Sequence, residues 1–144
     1  MKTKTLYRPV GEKEMLLIIE SNYKEFPPRL EWQPIFYPVL NEDYASEIAE
    51  KWNTRDEAGN YLGFVTEFEV LEEVVNQYPS QNVGAKNHNE LWIPSEELET
   101  FNQAIVGSIE VTKIFMGKDF KKAANETVEN LLLKLKHETQ IKKI

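Results

Sequence analysis

The sequence predicts an α+β fold built as a single compact domain. Three observations carry this. The chain has 144 residues, the usual size of one domain. Its residue patterns run strand, helix, short extended run, helix and then mostly strands, not a regular strand–helix–strand alternation. Gly59, Gly63 and Gly84 are too scattered to make a dinucleotide fingerprint or a Walker phosphate loop. At this length one core buries roughly 68–70% of the unfolded surface without help from metals or disulfides.

The elements follow in order. Thr3 to Val10 alternates with β-favouring residues and reads as a strand. Gly11 to Glu20 reads as a helix, with acids in its first turn and Met15, Leu16, Ile18 and Ile19 on the buried face. Pro27-Pro28 forbids a regular element between Ser21 and Leu30. Gln33 to Leu40 is a short extended run held between prolines, suited to a sheet edge or a loop. Asn41 is an N-cap followed by Glu42 and Asp43, and its helix is expected to reach Trp52 and bury Tyr44, Ala45, Ile48, Ala49 and Trp52. The polar stretch from Asn53 to Asn60 is an exposed loop.

Tyr61 to Val70 alternates as a strand, with Phe64, Thr66, Phe68 and Val70 on one face and Val65, Glu67 and Glu69 on the other. Leu71 to Tyr78 has room for a helical turn or two. Asn82 to Ile93 is expected to be extended, Pro94 to open a helix ending near Ala104, and Ser108 to Met116 to form the last strand. Residues 1–117 make the α+β body. Residues 118–144 read as one C-terminal amphipathic helix with a stripe of Phe120, Ala124, Val128, Leu131 and Leu135.

Composition narrows the function classes. The chain has no cysteine, which excludes Cys-bound zinc, iron–sulfur clusters and thiol catalysis. Met1 to Thr5 lacks the apolar run of a signal peptide, and the longest apolar stretch, Met15 to Ile19, is too short to span a bilayer. The expectation is a soluble cytoplasmic protein with no membrane partner. Net charge is −7. From Lys118 onward seven lysines face four acids, whereas residues 1–117 carry ten basic residues against twenty acids. So acidic a body disfavours nucleic acid as a partner. The basic end reads as a solvated lysine-rich helix end, with His137 exposed among the lysines.

Three segments hold residues that could do chemistry: Leu6-Tyr7-Arg8, Pro34-Ile35-Phe36-Tyr37 and His88 to Pro94. A guanidinium such as Arg8 can pair a phosphate at two points, or form an ordinary surface ion pair. Tyr37 could stack on a planar ring, or be a core aromatic. On a strand, His88, Glu90 and Trp92 share one face. A carboxylate at Glu90 could steady an oxocarbenium-like centre or hold a ribose diol, and an exposed surface Glu is the alternative. His88 is one of only two histidines, and no His-x-x-x-His spacing exists, so no metal is expected. It can still hydrogen-bond near Glu90. No Gly-x-Ser-x-Gly elbow supports serine hydrolysis.

Longer strings carry a resemblance. Thr5 to Gly11, Phe26 to Leu30, Gln33 to Asn41, Trp52-Asn53, Gly63 to Thr66, Val83-Gly84, Glu90 to Pro94, Phe101-Asn102 and Ile105 to Gly107 together resemble a family of short bacterial proteins. That family carries the label ADP-ribosylation/J-type crystallin, and the likeness covers about residues 5 to 116. J-type crystallins resemble ADP-ribosylglycohydrolases, which are larger, all-helical and bind paired metals through clustered acids. This chain is too short and too strand-rich for that half of the label. The strings are more similar to small ADP-ribosyltransferase-like domains, whose first strand ends in Tyr-Arg or Tyr-His and whose later strand reads Glu-x-x-Ile-Pro.

That likeness implies an ADP-ribosyltransferase-like split β-sheet core with NAD as substrate. Tyr7, Arg8 and Tyr37 would form the cofactor-binding set, with Arg8 on the NAD phosphate or ribose and Tyr37 beside the nicotinamide. Glu90 would stabilise the ribosyl cation, with His88 near it. Three departures bear on acceptor transfer more than on nucleotide binding. Pro9 stands where the Arg-type enzymes have Gly, no Ser-Thr-Ser strand is present, and His88 replaces the Glu or Gln that orients an acceptor. The implied function is ADP-ribosyl transfer or NAD hydrolysis. The alternative is a nucleotide sensor or a non-catalytic module that binds a protein partner or a second copy, through the Leu131/Leu135 face or through Trp32 and Trp92.

Overall fold

The computed structural model describes residues 1–136 and 140–143. His137, expected to be solvated, lies outside the described residues. Strand β1 (Thr3–Val10) forms as expected and buries Leu6, Arg8 and Val10 on one face. Helix α1 (Glu12–Glu20) follows, with Glu12 and Glu14 in the first turn and Met15 and Ile18 fully buried. The extended run shortens to β2 (Ile35–Phe36). Helix α2 (Glu42–Lys51) starts at Asn41, whose side chain accepts a hydrogen bond from the Tyr44 N–H at 2.7 Å.

Strand β3 (Leu62–Leu71) is the centre of the main sheet. Short α3 (Glu72–Val75) closes the turn after it. The expected continuous strand over 82–93 is instead broken into β4 (Gln81–Asn82), β5 (Asn89–Glu90) and β6 (Ile93–Pro94). Asn82 causes the break by donating to the Ala85 carbonyl and the Asn89 side chain, which folds 83–88 into a hairpin turn. Helix α4 (Leu98–Gln103) leads into β7 (Ile105–Met116), which starts three residues before the expected Ser108. Gly107 adopts φ +78° inside β7, next to the register shift between Glu67 and Glu69 of β3. A glycine is favoured at such a bulge because L side chains resist positive φ.

The C-terminal helix is shorter than the sequence predicts. Helix α5 is Glu126–Leu135, capped by Asn125, and β8 (Gln140–Lys143) follows it. The cause is tertiary. The buried Glu12 carboxylate accepts the Ala124 N–H at 3.1 Å and the Asn60 amide at 3.2 Å, pinning the chain before α5 to the start of α1. Val128 and Leu131 then enter the main core, and Leu135 packs against it.

Main-sheet order is β1–β3–β7–β8, with β8 parallel to β7 and the other pairs antiparallel. Phe64, Phe68 and Val70 of β3 join Phe26, Phe36 and Phe101 on one side of this mixed sheet. The Phe26 ring meets the edge of Phe68 at 4.8 Å between centroids. On the other side, α2 lays Tyr44, Ala45 and Ala49 over Val39, Val65 and Phe115. Gly63 makes this close contact workable, because a Cβ there would stand 2.9 Å from the Ala49 Cβ and 3.0 Å from the Asn53 Cβ.

Among the described residues, no helix is long and apolar enough to cross a membrane.

Candidate functional site

The three segments singled out in the sequence lie side by side at the β1 edge. Tyr7 and Val39 exchange two backbone hydrogen bonds, at 2.9 and 2.8 Å. Leu91 N–H then donates to the Pro38 carbonyl at 2.9 Å, and Leu40 N–H to the Asn89 carbonyl at 3.1 Å. The chain around Val39 is thus a spacer strand between β1 and β5. It brings residues far apart in sequence to one rim.

A cleft of 690 Å³ opens at this rim. Arg8 and Pro9 of β1, Tyr37 and Val39 of the spacer, and Glu90 and Trp92 of the third segment line it. Ile48, Trp52, Asn53 and Asp56 close the far wall from the end of α2 and the turns after it. Three of the five predicted site residues, Arg8, Tyr37 and Glu90, therefore share one cleft. Tyr7 and His88 are not among its lining residues.

Glu90 is held from two directions. The Trp92 indole Nε1–H donates to its Oε1 at 2.8 Å. The Tyr44 hydroxyl donates to its Oε2 at 3.4 Å, a long contact. Burial first, and then the Glu90 carboxylate, raises the Tyr44 pKa, so Tyr44 remains a proton donor through neutral pH.

His88 acts on this pair indirectly. Its ring stacks on Tyr44 at 4.4 Å and 17°. Its Nδ1 accepts the Ala85 N–H, which leaves the proton on Nε2, and Nε2 donates to Glu47 Oε2 at 2.9 Å. That bond and the bond from Lys51 lower the Glu47 pKa. With both ring nitrogens engaged, His88 positions Tyr44 and carries no lone pair free for the cleft.

Arg8 projects from the buried face of β1 and its side chain is 11% exposed. Its guanidinium lies 4.6 Å from the Phe36 ring centroid and pairs with Glu14 through Nε and Nη2. It is neither a surface ion pair nor an unengaged phosphate hook. Tyr7 points to the opposite face, packed against the α2 cluster. Burial, and then the Glu67 carboxylate on the partner strand, pushes its pKa up to about 12.

The far wall of the cleft is not legible in the sequence. Trp52 was expected in the core and is 70% exposed. Helical periodicity gave its azimuth correctly, in line with Tyr44 and Ile48. It could not show that Trp52 follows the last turn of α2 and reaches the cleft. Asn53 and Asp56 looked like ordinary loop residues. Asn53 Oδ1 is buried with no hydrogen-bond partner among the described residues, an unmet acceptor that costs about 1–3 kcal/mol.

No protein-family model, curated protein or solved structure matches this chain.

Proposed function

We propose that the cleft binds NAD and that Glu90 assists cleavage of its nicotinamide glycosidic bond. The observation that carries this is the meeting of Arg8, Tyr37 and Glu90 in one cleft. The cleft has the size of a small-molecule site, and its walls combine exposed aromatic rings with a few polar groups. Tyr37 is 41% exposed and offers a face to the nicotinamide ring. In the step itself, the bond between the ribosyl carbon and the pyridinium nitrogen breaks. Both electrons stay on nitrogen, so nicotinamide leaves neutral and the ribosyl centre becomes an oxocarbenium ion. The Glu90 carboxylate, held by Trp92 and Tyr44, stabilises that cation. Water or another nucleophile then adds at the same carbon and gives up a proton to solvent. The resemblance to small ADP-ribosyltransferase-like domains implies the same roles for Tyr37 and Glu90.

The test is nicotinamide release by the purified protein beside Glu90→Gln. Release that disappears in the variant, with an unchanged melting curve, supports the proposal. Equal release by both proteins overturns the role of Glu90, and no release by either overturns the reaction.

A second reading is a non-catalytic interaction module. It is favoured by Trp52 and Trp92, 70% and 45% exposed on one cleft, since aromatic anchors are common at protein interfaces. The tail face argues less for self-association, because Leu131 and Leu135 pack on the body.

A further inference from the structure

A second cavity of 310 Å³ adjoins the first. Arg8, Pro9, Asn53 and Asp56 line both, so the two meet along a shared wall. Their charges differ. The first is lined by one cation, Arg8, and two acids, Asp56 and Glu90. The second is lined by three cations, Arg8, Lys13 and Arg29, against Glu14 and Asp56. In a chain of net charge −7, this is a local surplus of positive charge.

Arg29 is the source of that surplus. It sits in the loop before β2, where its Nε donates to the Ile35 carbonyl at 3.1 Å and fixes the guanidinium plane. Among the described residues, no carboxylate pairs with it. Glu14 is already taken at two points by Arg8. Burial, and then repulsion from Arg8, lowers the Arg29 pKa, and the attraction of Glu14, already paired with Arg8, offsets only part of this.

We propose that this second cavity is an anion site in which Arg29, beside Arg8, holds the phosphates of a dinucleotide whose ribosyl end lies at Glu90. The inference rests on the NAD reading of the first cleft and adds a direction to it. The cationic pyridinium end lies toward Glu90, which lines the first cleft alone, and the pyrophosphate lies toward Arg29 and Lys13, which line the second alone, with Arg8 on the shared wall between them. A guanidinium suits this role because its planar fork matches phosphate oxygens at two points. The ligand class is therefore a pyrophosphate-bearing nucleotide rather than a bare nucleoside.

The experiment titrates NAD, ADP-ribose and nicotinamide riboside, which lacks phosphate, into the full chain and into Arg29→Gln and Lys13→Glu. Arg29→Gln is expected to weaken NAD and ADP-ribose roughly ten- to hundredfold, the scale of a lost charge-assisted contact. Nicotinamide riboside should bind all three proteins alike. Lys13→Glu, at an exposed position of α1, should weaken the two phosphate ligands in the same sense and carries the test if Arg29→Gln does not fold. NAD turnover with neither variant changing the affinity for NAD relative to the riboside overturns the anion site and leaves the cleavage reading standing. ADP-ribose binding that depends on Arg29, without NAD turnover, keeps the anion site and overturns the cleavage. Failure of all three ligands to bind overturns both.

Discussion

Arg8 holds Glu14 at two points, Nε to Oε2 at 2.7 Å and Nη2 to Oε1 at 3.0 Å. The pair joins β1 to the first turn of α1 beside the Phe36 ring. It fixes the guanidinium at the wall between two cavities before any ligand arrives. A pre-oriented cation loses less freedom on binding than a mobile surface arginine.

The first prediction follows from this pair. Glu14→Gln leaves a largely buried guanidinium without its counter-charge. The side chains are 11% and 22% exposed, between the surface and the deeply buried cases. The expected loss is about 1–3 kcal/mol of folding stability, read as a lower urea midpoint at constant slope. An unchanged midpoint would mean that Arg8 finds another partner and is not fixed by Glu14.

Trp52 separates a cleft role from a core role. Because its side chain is 70% exposed, Trp52→Ala should change stability within about 0.5 kcal/mol. Ligand binding in the cleft should weaken about tenfold, near the upper end of what one aromatic stacking partner contributes. Calorimetry and a thermal melt on the same preparation check both. A large drop in melting temperature with unaltered binding would return Trp52 to the core.

How much was legible depended on the range of the interactions. The Asn41 cap, the alternation of Phe64, Phe68 and Val70 and the acids opening α1 are local patterns, and all stand in the structure. Arg8, Tyr37 and Glu90 were legible as residue types. Their convergence was not, because it passes through Val39, a single bridging residue after Pro38 with no periodicity to announce it. The end of the tail helix was hidden for a similar reason. Glu12 binds the Ala124 N–H across 112 residues of sequence, and no window of neighbouring residues carries that contact. Asn125, which caps α5, was the one local sign of where that helix begins.

Stability should fall at high pH for an identifiable reason. The Tyr7 and Tyr78 pKa values are both pushed up to about 12 from an ordinary 10.0, each by burial first and then by a neighbouring carboxylate, Glu67 or Glu97. The unfolded chain therefore loses these protons before the folded one does. Below pH 10 the contribution is fully present, and it is lost as pH rises from 10 towards 12. Thermal melts across that range should show a declining midpoint, with a shallower decline in Tyr7→Phe. An equal slope in parent and variant would remove Tyr7 from the explanation.

The two donors to Glu90 should not count equally. Trp92 reaches Oε1 at 2.8 Å, near the ideal length, whereas the Tyr44 hydroxyl stands 3.4 Å from Oε2. Trp92→Phe keeps an aromatic wall and deletes the short bond, so the carboxylate gains rotational freedom where the ribosyl cation would form. Tyr44→Phe deletes only the long contact and keeps a ring for His88 to stack on. If Glu90 assists bond cleavage, Trp92→Phe should slow nicotinamide release about tenfold, the equivalent of roughly 1.4 kcal/mol in the barrier. Tyr44→Phe should slow it much less. The affinity for the substrate should hardly change in Tyr44→Phe, because Tyr44 is not among the residues lining the cleft. Single-turnover rates for both variants decide the matter. A larger loss from Tyr44→Phe would mean that the hydroxyl closes on Glu90 when substrate binds, and that Tyr44, backed by His88 and Glu47, is the principal support of the carboxylate.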